Sequence, residues 1–153
     1  PLSGDDSAWS ATDRSLPSRS SELSTSEGGT KVVWVRDNRP LVPKRLTTFT
    51  FRVDDASGQP ARDLELYMGM PGHAIFVKRD RTVFAHVHPS GSAPMAAIDL
   101  AMPGTMLHAQ HEAATPSTVT FPYGFPESGQ YRIFVQVKRA GAIVTGAFDA
   151  DVK

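Results

Sequence analysis

From Lys31 onward the chain alternates short apolar runs with polar positions, and each run is closed by Gly, Pro or Asp. In the stretch "LTTFTFRV", Phe49, Phe51 and Val53 fall on one side and Thr48, Thr50 and Arg52 on the other. That period of two is the signature of a half-buried strand, and the "DDASGQP" that follows supplies turn chemistry. "KVVWVR" reads as the strand before it. "LELYM", "HAIFVK" and "TVFAHVH" follow, and "STVTF", "QYRIFVQVK" and "AIVTGAFDADV" extend the series. Strands recurring at roughly 8 to 12 residues predict an antiparallel sandwich of about seven or eight strands, immunoglobulin-like or cupredoxin-like. In "SGQYRIFVQVKRAG", Tyr131, Ile133, Val135 and Val137 share a face, and the Gly then Tyr at the head of a late strand predicts a tyrosine corner.

Two segments break this texture. Residues 1–30 hold nine serines and few apolar side chains. They bury too little to offset the entropy of ordering the backbone, so a linker or tail is expected, with the sandwich over 31–153. Trp9 is the one residue there equipped to anchor part of it on the neighbouring domain. Residues 94–115, "PMAAIDLAMPGTMLHAQHEAAT", are rich in Ala, Met and Leu, which predicts a short helical or irregular excursion near 95–113.

Charge then narrows the partners. Sixteen Lys and Arg balance sixteen Asp and Glu, so the chain lacks the basic excess that a phosphate backbone selects, and nucleic acid is not an expected partner. "KRDR" at 78–81 reads as a soluble hairpin tip rather than a nucleic-acid patch. Asp54 with Asp55 reads as a turn, and Asp149 with Asp151 as a solvated strand face.

The absence of cysteine leaves histidine, methionine and carboxylates as the available metal ligands. All five histidines and all five methionines lie between Met68 and His111. His86 and His88, two apart on a strand, share a face. If the turn between "HAIFVK" and "TVFAHVH" has an even number of residues, His73 stands across from His88 and diagonal to His86; an odd loop moves His73 to the other side. A four-residue "PSGS" loop leading into a third strand would bring Met95 opposite His86, and Met68 or Met70 is the alternative thioether. Imidazole with thioether favours copper, as Cu(I) or Cu(II), over zinc; without a cysteine a blue-copper centre is not expected. His108 and His111 have the spacing of one side of a helical turn, suited either to a second ion or to plain solvent exposure. Met102 and Met106 read as packing residues.

Enzymatic readings find less support. "HAQHEA" is not the zinc-protease motif, because Glu112 follows the second histidine, and neither a G-x-S-x-G elbow nor a phosphate loop occurs. An open three-histidine metal site would need a nearby acid or base, for which Glu112 is the candidate. The bland alternative is a sandwich that binds no metal, its histidines organising a polar hairpin and its "FPYGFP" loop meeting a partner.

"LYMGMPGHAIFVKRDRTVFAHVHPSGS" followed by "VTFPYGFPESGQYRIFVQVKRAGAIVTGAFDADV" resembles the extracytoplasmic sandwich domains of bacterial membrane-associated proteins in the YtkA-like and FixH-like group. The resemblance spans about residues 31–153 and points at His73, His86 and His88. It implies a non-enzymatic module that captures, buffers or delivers copper in the periplasm or on the outer surface. Residues 1–30 would then tether it to a membrane-embedded portion, and another copper-handling protein would be its partner.

Overall fold

The computed structural model describes residues 22–26, 28–37, 39–91 and 115–153, and every regular element among them is a strand. One sheet has the order β1-β2-β3-β7, formed by Leu23–Thr25, Lys31–Val35, Thr47–Asp54 and Thr118–Tyr123. The other is built on β8 (Gly129–Arg139), which pairs along one side with β9 (Ala142–Val152). Its other side carries β4 (Leu64–Glu65) and then β5 (His73–Lys78), and β6 (Phe84–Val87) pairs with β5. All these ladders are antiparallel.

The period of two decides which side chains meet between the sheets. Phe49, Phe51 and Val53 of β3 are buried against Phe76 of β5 and Phe148 of β9, with ring centroids 5.0 Å apart for Phe49 and Phe76 and 5.1 Å for Phe51 and Phe148. Trp34, Phe121 and Phe125 complete an aromatic core in which every strand but β1 and β6 has a buried member. Tyr131 is wholly buried, and its hydroxyl donates to the Glu127 carbonyl at 2.9 Å, four residues upstream. This is the tyrosine corner that the Gly-then-Tyr sequence predicts, and with the two facing antiparallel sheets it makes the fold an immunoglobulin-like sandwich.

Among the described residues there are nine strands where about seven or eight are expected, and the added one is β1. The serine-rich stretch read as linker contributes β1: its backbone pairs with β2 from Leu23 opposite Val33 to Thr25 opposite Lys31, which polar side chains do not prevent at a sheet edge. "LELYM" is not one strand. Only Leu64 and Glu65 pair, after which Tyr67 and Met70 bracket a two-residue turn in which Met68 and Gly69 both have positive φ, 51° and 78°. That left-handed pair is the geometry of a type I′ turn, which glycine at the second position favours. The excursion expected near 95–113 lies outside the described residues.

Asp54 also departs from expectation. It is buried at the end of β3 and receives both Nε and Nη2 of Arg52, each at 2.8 Å, so it is half of a bidentate ion pair rather than a solvated turn residue. Asp149 likewise accepts from Arg132 and Arg79 across the outer surface of β8 and β9.

Candidate metal centre

The register of one hairpin sets the geometry. β5 and β6 pair with Ala74 opposite Val87 and Val77 opposite Phe84, and the loop Arg79–Thr82 has four residues, an even number. Asp80 fastens that loop by accepting from the Thr82 hydroxyl at 2.6 Å and the Thr82 amide at 3.0 Å. Those bonds hold its carboxyl down at about 2, the Thr82 hydroxyl contributing most. One step beyond Ala74 and Val87, His73 therefore stands across from His88 and diagonal to His86, on one face. Since Ala74 and Phe76 point into the core, that face is the outer one.

The three imidazoles converge. Each of His73, His86 and His88 offers one ring nitrogen within 4.8 Å of the other two. The ring centroids are 5.2 Å apart for His73 and His86, 5.5 Å for His73 and His88, and 5.0 Å for His86 and His88. Nδ1 of His73 lies 3.1 Å from Nε2 of His86. Two ligand nitrogens bound at 2.0–2.1 Å in tetrahedral geometry sit roughly 3.3 Å apart, so this pair needs to open only by tenths of an ångström.

His73 is the anchor. Its side of the sheet is reached through Gly72, where a Cβ would stand 2.7 Å from the Gln136 carbonyl oxygen and 3.3 Å from Val137 Cγ1, so the chain approaches β8 closely only because no side chain is there. The Met68-Gly69 turn then brings the Tyr67 carbonyl to 3.0 Å from His73 Nε2. A carbonyl only accepts, so Nε2 carries the proton and donates, which leaves the lone pair on Nδ1 directed toward His86. Fixing the tautomer through the second ring nitrogen is how metal-binding proteins aim a histidine ligand. The Tyr67 ring packs edge-on to His73 with centroids 5.2 Å apart.

Burial differs across the set. His73 is only 3% exposed, whereas His86 and His88 are exposed on β6 and just beyond it, so the group has one wall and an open mouth. Burial pushes the His73 imidazole below its ordinary range; the Tyr67 carbonyl opposes this, and charge on His86 and His88 adds to it. Burial also lowers His86, with help from His88. Both shifts favour neutral imidazole, the form that binds a cation.

The methionines divide. Met70 is buried at the base of the turn, with its backbone bonded to Tyr67 in both directions, and it stands outside the main core cluster. Met68 is exposed at the tip of that turn. Met95, Met102, Met106, His108, His111 and Glu112 lie outside the described residues. After His88 the chain turns toward the other sheet, the Ser90 amide donating to the Thr120 carbonyl at 2.7 Å.

Three contributors escaped the sequence reading: the Tyr67 carbonyl, Gly72 and Gln136. Gln136 faces His73 in the β5–β8 ladder and is wholly buried. Its Nε2 donates to Thr145 Oγ1 at 3.2 Å, and its Oε1 has no partner among the described residues. The "GMPG" run was the available signal, since paired glycines between strands announce both a turn and a close backbone approach.

Comparison with known proteins adds the family. No curated protein matches the chain. Among solved structures it is similar to the crystal structure of the Lin-41 filamin domain, at 16% identity and a TM-score of 0.40, over 85% of this chain and 97% of that one. A family model described as "Domain of unknown function (DUF8832)" matches residues 24–153, which takes in the sandwich and all three converging histidines. The chain thus belongs to the DUF8832 family.

Proposed function

We propose that this domain is a non-enzymatic copper-binding module in which His73, His86 and His88 grip one ion at the outer face of the β5–β6 hairpin. The observation that carries the reading is the convergence of three ring nitrogens within 4.8 Å, one of them buried and held in its ligating tautomer. Three neutral imidazoles suit copper in either oxidation state and zinc as well; a thioether from Met70 or Met95 would tilt the site toward Cu(I). The exposed side of His86 and His88 gives the ion a route in and out, which fits capture, buffering or delivery. The resemblance to YtkA-like and FixH-like domains supports placing that work in the periplasm or at the outer surface, tethered to a membrane portion and passing copper to another copper-handling protein.

The test is to purify the chain without an affinity tag, measure bound metal and Cu(I) affinity by competition, and repeat with His86→Ala plus His88→Ala. One equivalent of copper in the parent, lost in a variant that keeps its strand signature, supports the module. No binding in either favours the metal-free reading, in which the 3.1 Å contact of His73 with His86 is simply a hydrogen bond that orders the hairpin, and equal binding in both puts the ion away from His86 and His88.

Acid dependence follows from the same rings. Protons compete with the ion for each nitrogen, so affinity falls as pH drops, by up to about tenfold per unit for each imidazole that must be neutral. Because burial lowers His73 and His86, the part of the fall that those two rings contribute begins below the ordinary histidine value of about 6.5. Copper titrations between pH 5 and 8 check this; an affinity independent of pH points to sulfur ligands instead.

A further inference from the structure

A second feature lies on the opposite sheet. Where β2 ends and β3 begins, residues Trp34 to Phe49 enclose a groove of about 350 Å³. Its lining includes Arg36, Arg39 and Arg45 against a single carboxylate, Asp37, which is already paired to Arg39 at 2.8 Å. The Arg36 guanidinium lies 4.5 Å over the Trp34 ring. Two of the large apolar side chains exposed to solvent also line it, Val35 at 47% and Leu46 at 75%. A groove that is cationic and apolar together fits an extended segment bearing carboxylates and one aromatic side chain.

The chain carries such a segment next to it. β1 runs antiparallel to β2, and the Trp34 amide donates to the Glu22 carbonyl at 2.7 Å. Glu22, the first described residue, thus meets β2 at Trp34, which lines the groove. Upstream, "DDSAWSATD" supplies Asp5, Asp6 and Asp13 around Trp9, with no basic residue before Arg14. Eight residues, 14–21, separate Asp13 from Glu22. A random coil of eight residues has an end-to-end distance of roughly 16 Å, which would let the acidic stretch reach the groove at an effective concentration in the millimolar range.

We propose that the arginine-lined groove between β2 and β3 is the docking site of the chain's own acidic segment Asp5–Asp13, with Trp9 as its apolar anchor. Electrostatic attraction to three guanidinium groups orients the segment, and the indole covers Leu46 and Val35. The contact is weak by design of its parts, since exposed charge pairs contribute little each and are screened by salt.

The absence of cysteine allows a direct test, because Ser7→Cys in the full chain accepts a single nitroxide label. In amide NMR spectra at low salt, signals from Arg39 to Thr48 should broaden at least twofold more than in the same labelled chain carrying Trp9→Ser. Arg39→Glu with Arg45→Glu should abolish the difference, as should roughly 0.5 M salt. A strand signature equal to the parent's shows that Trp9→Ser keeps the folded reference, even where the arginine reversal perturbs the loop. Broadening that is unchanged by Trp9→Ser reflects the tether alone and overturns the proposal, as does broadening confined to the neighbourhood of Leu23.

Discussion

Replacing His73 by alanine is expected to weaken copper binding by more than about 100-fold while the sandwich stays folded. The magnitude follows from what the residue does. Losing even an outer partner of a metal ligand costs 10- to 100-fold in affinity, and His73 is a ligand in this account, the one held by both burial and the Tyr67 carbonyl. His86 on the edge strand β6 and His88 just beyond it remain as a two-nitrogen pair. The fold tolerates the change because His73 points away from the interior, where Ala74 and Phe76 do the packing. Isothermal titration or chelator competition on parent and variant reads the effect. An affinity within a few-fold of the parent means that His73 is a structural histidine.

Gly72→Val should damage the same site without touching a histidine. The Cβ position lies 2.7 Å from a backbone oxygen, that of Gln136, which belongs to the central strand and has little freedom to retreat. Valine adds two methyl groups beyond that clash, so the start of β5 must lift away from β8. Overpacking of this kind costs about 1–3 kcal/mol, a drop in Tm of roughly 3–10 °C for a domain of this size. Lifting β5 also displaces His73 Nδ1 from its partners, so copper affinity should fall together with stability. Thermal unfolding and metal titration on the one protein measure both, and a variant with parental Tm and affinity shows that the approach of β5 to β8 is looser than described.

How much of this was legible beforehand depends on what each feature rests on. The core strands were readable because Phe49, Phe51, Val53 and the Tyr131 series repeat every two residues, a constraint local to each strand. The histidine convergence was readable in part: His86 and His88 share a face whatever the turn, while the place of His73 hung on the parity of a loop that only the structure counts as four residues. The burial of His73 was not readable, because it depends on Gly72 meeting a strand more than sixty residues later in the chain. Asp54 was misread for a related reason, its partner Arg52 lying on the same strand but its burial arising from tertiary packing. β1 was missed because edge pairing uses backbone groups, and serines give little sign of it.

The claim on which the function rests is that three imidazoles bind one ion together. X-ray absorption at the copper edge, on the untagged chain loaded with one equivalent, tests it most directly. The account predicts three nitrogen scatterers near 2.0 Å with the outer-shell pattern of imidazole rings, and loss of one such ring in His73→Ala. A shell made of sulfur alone, or a copper environment identical in parent and variant, would contradict it.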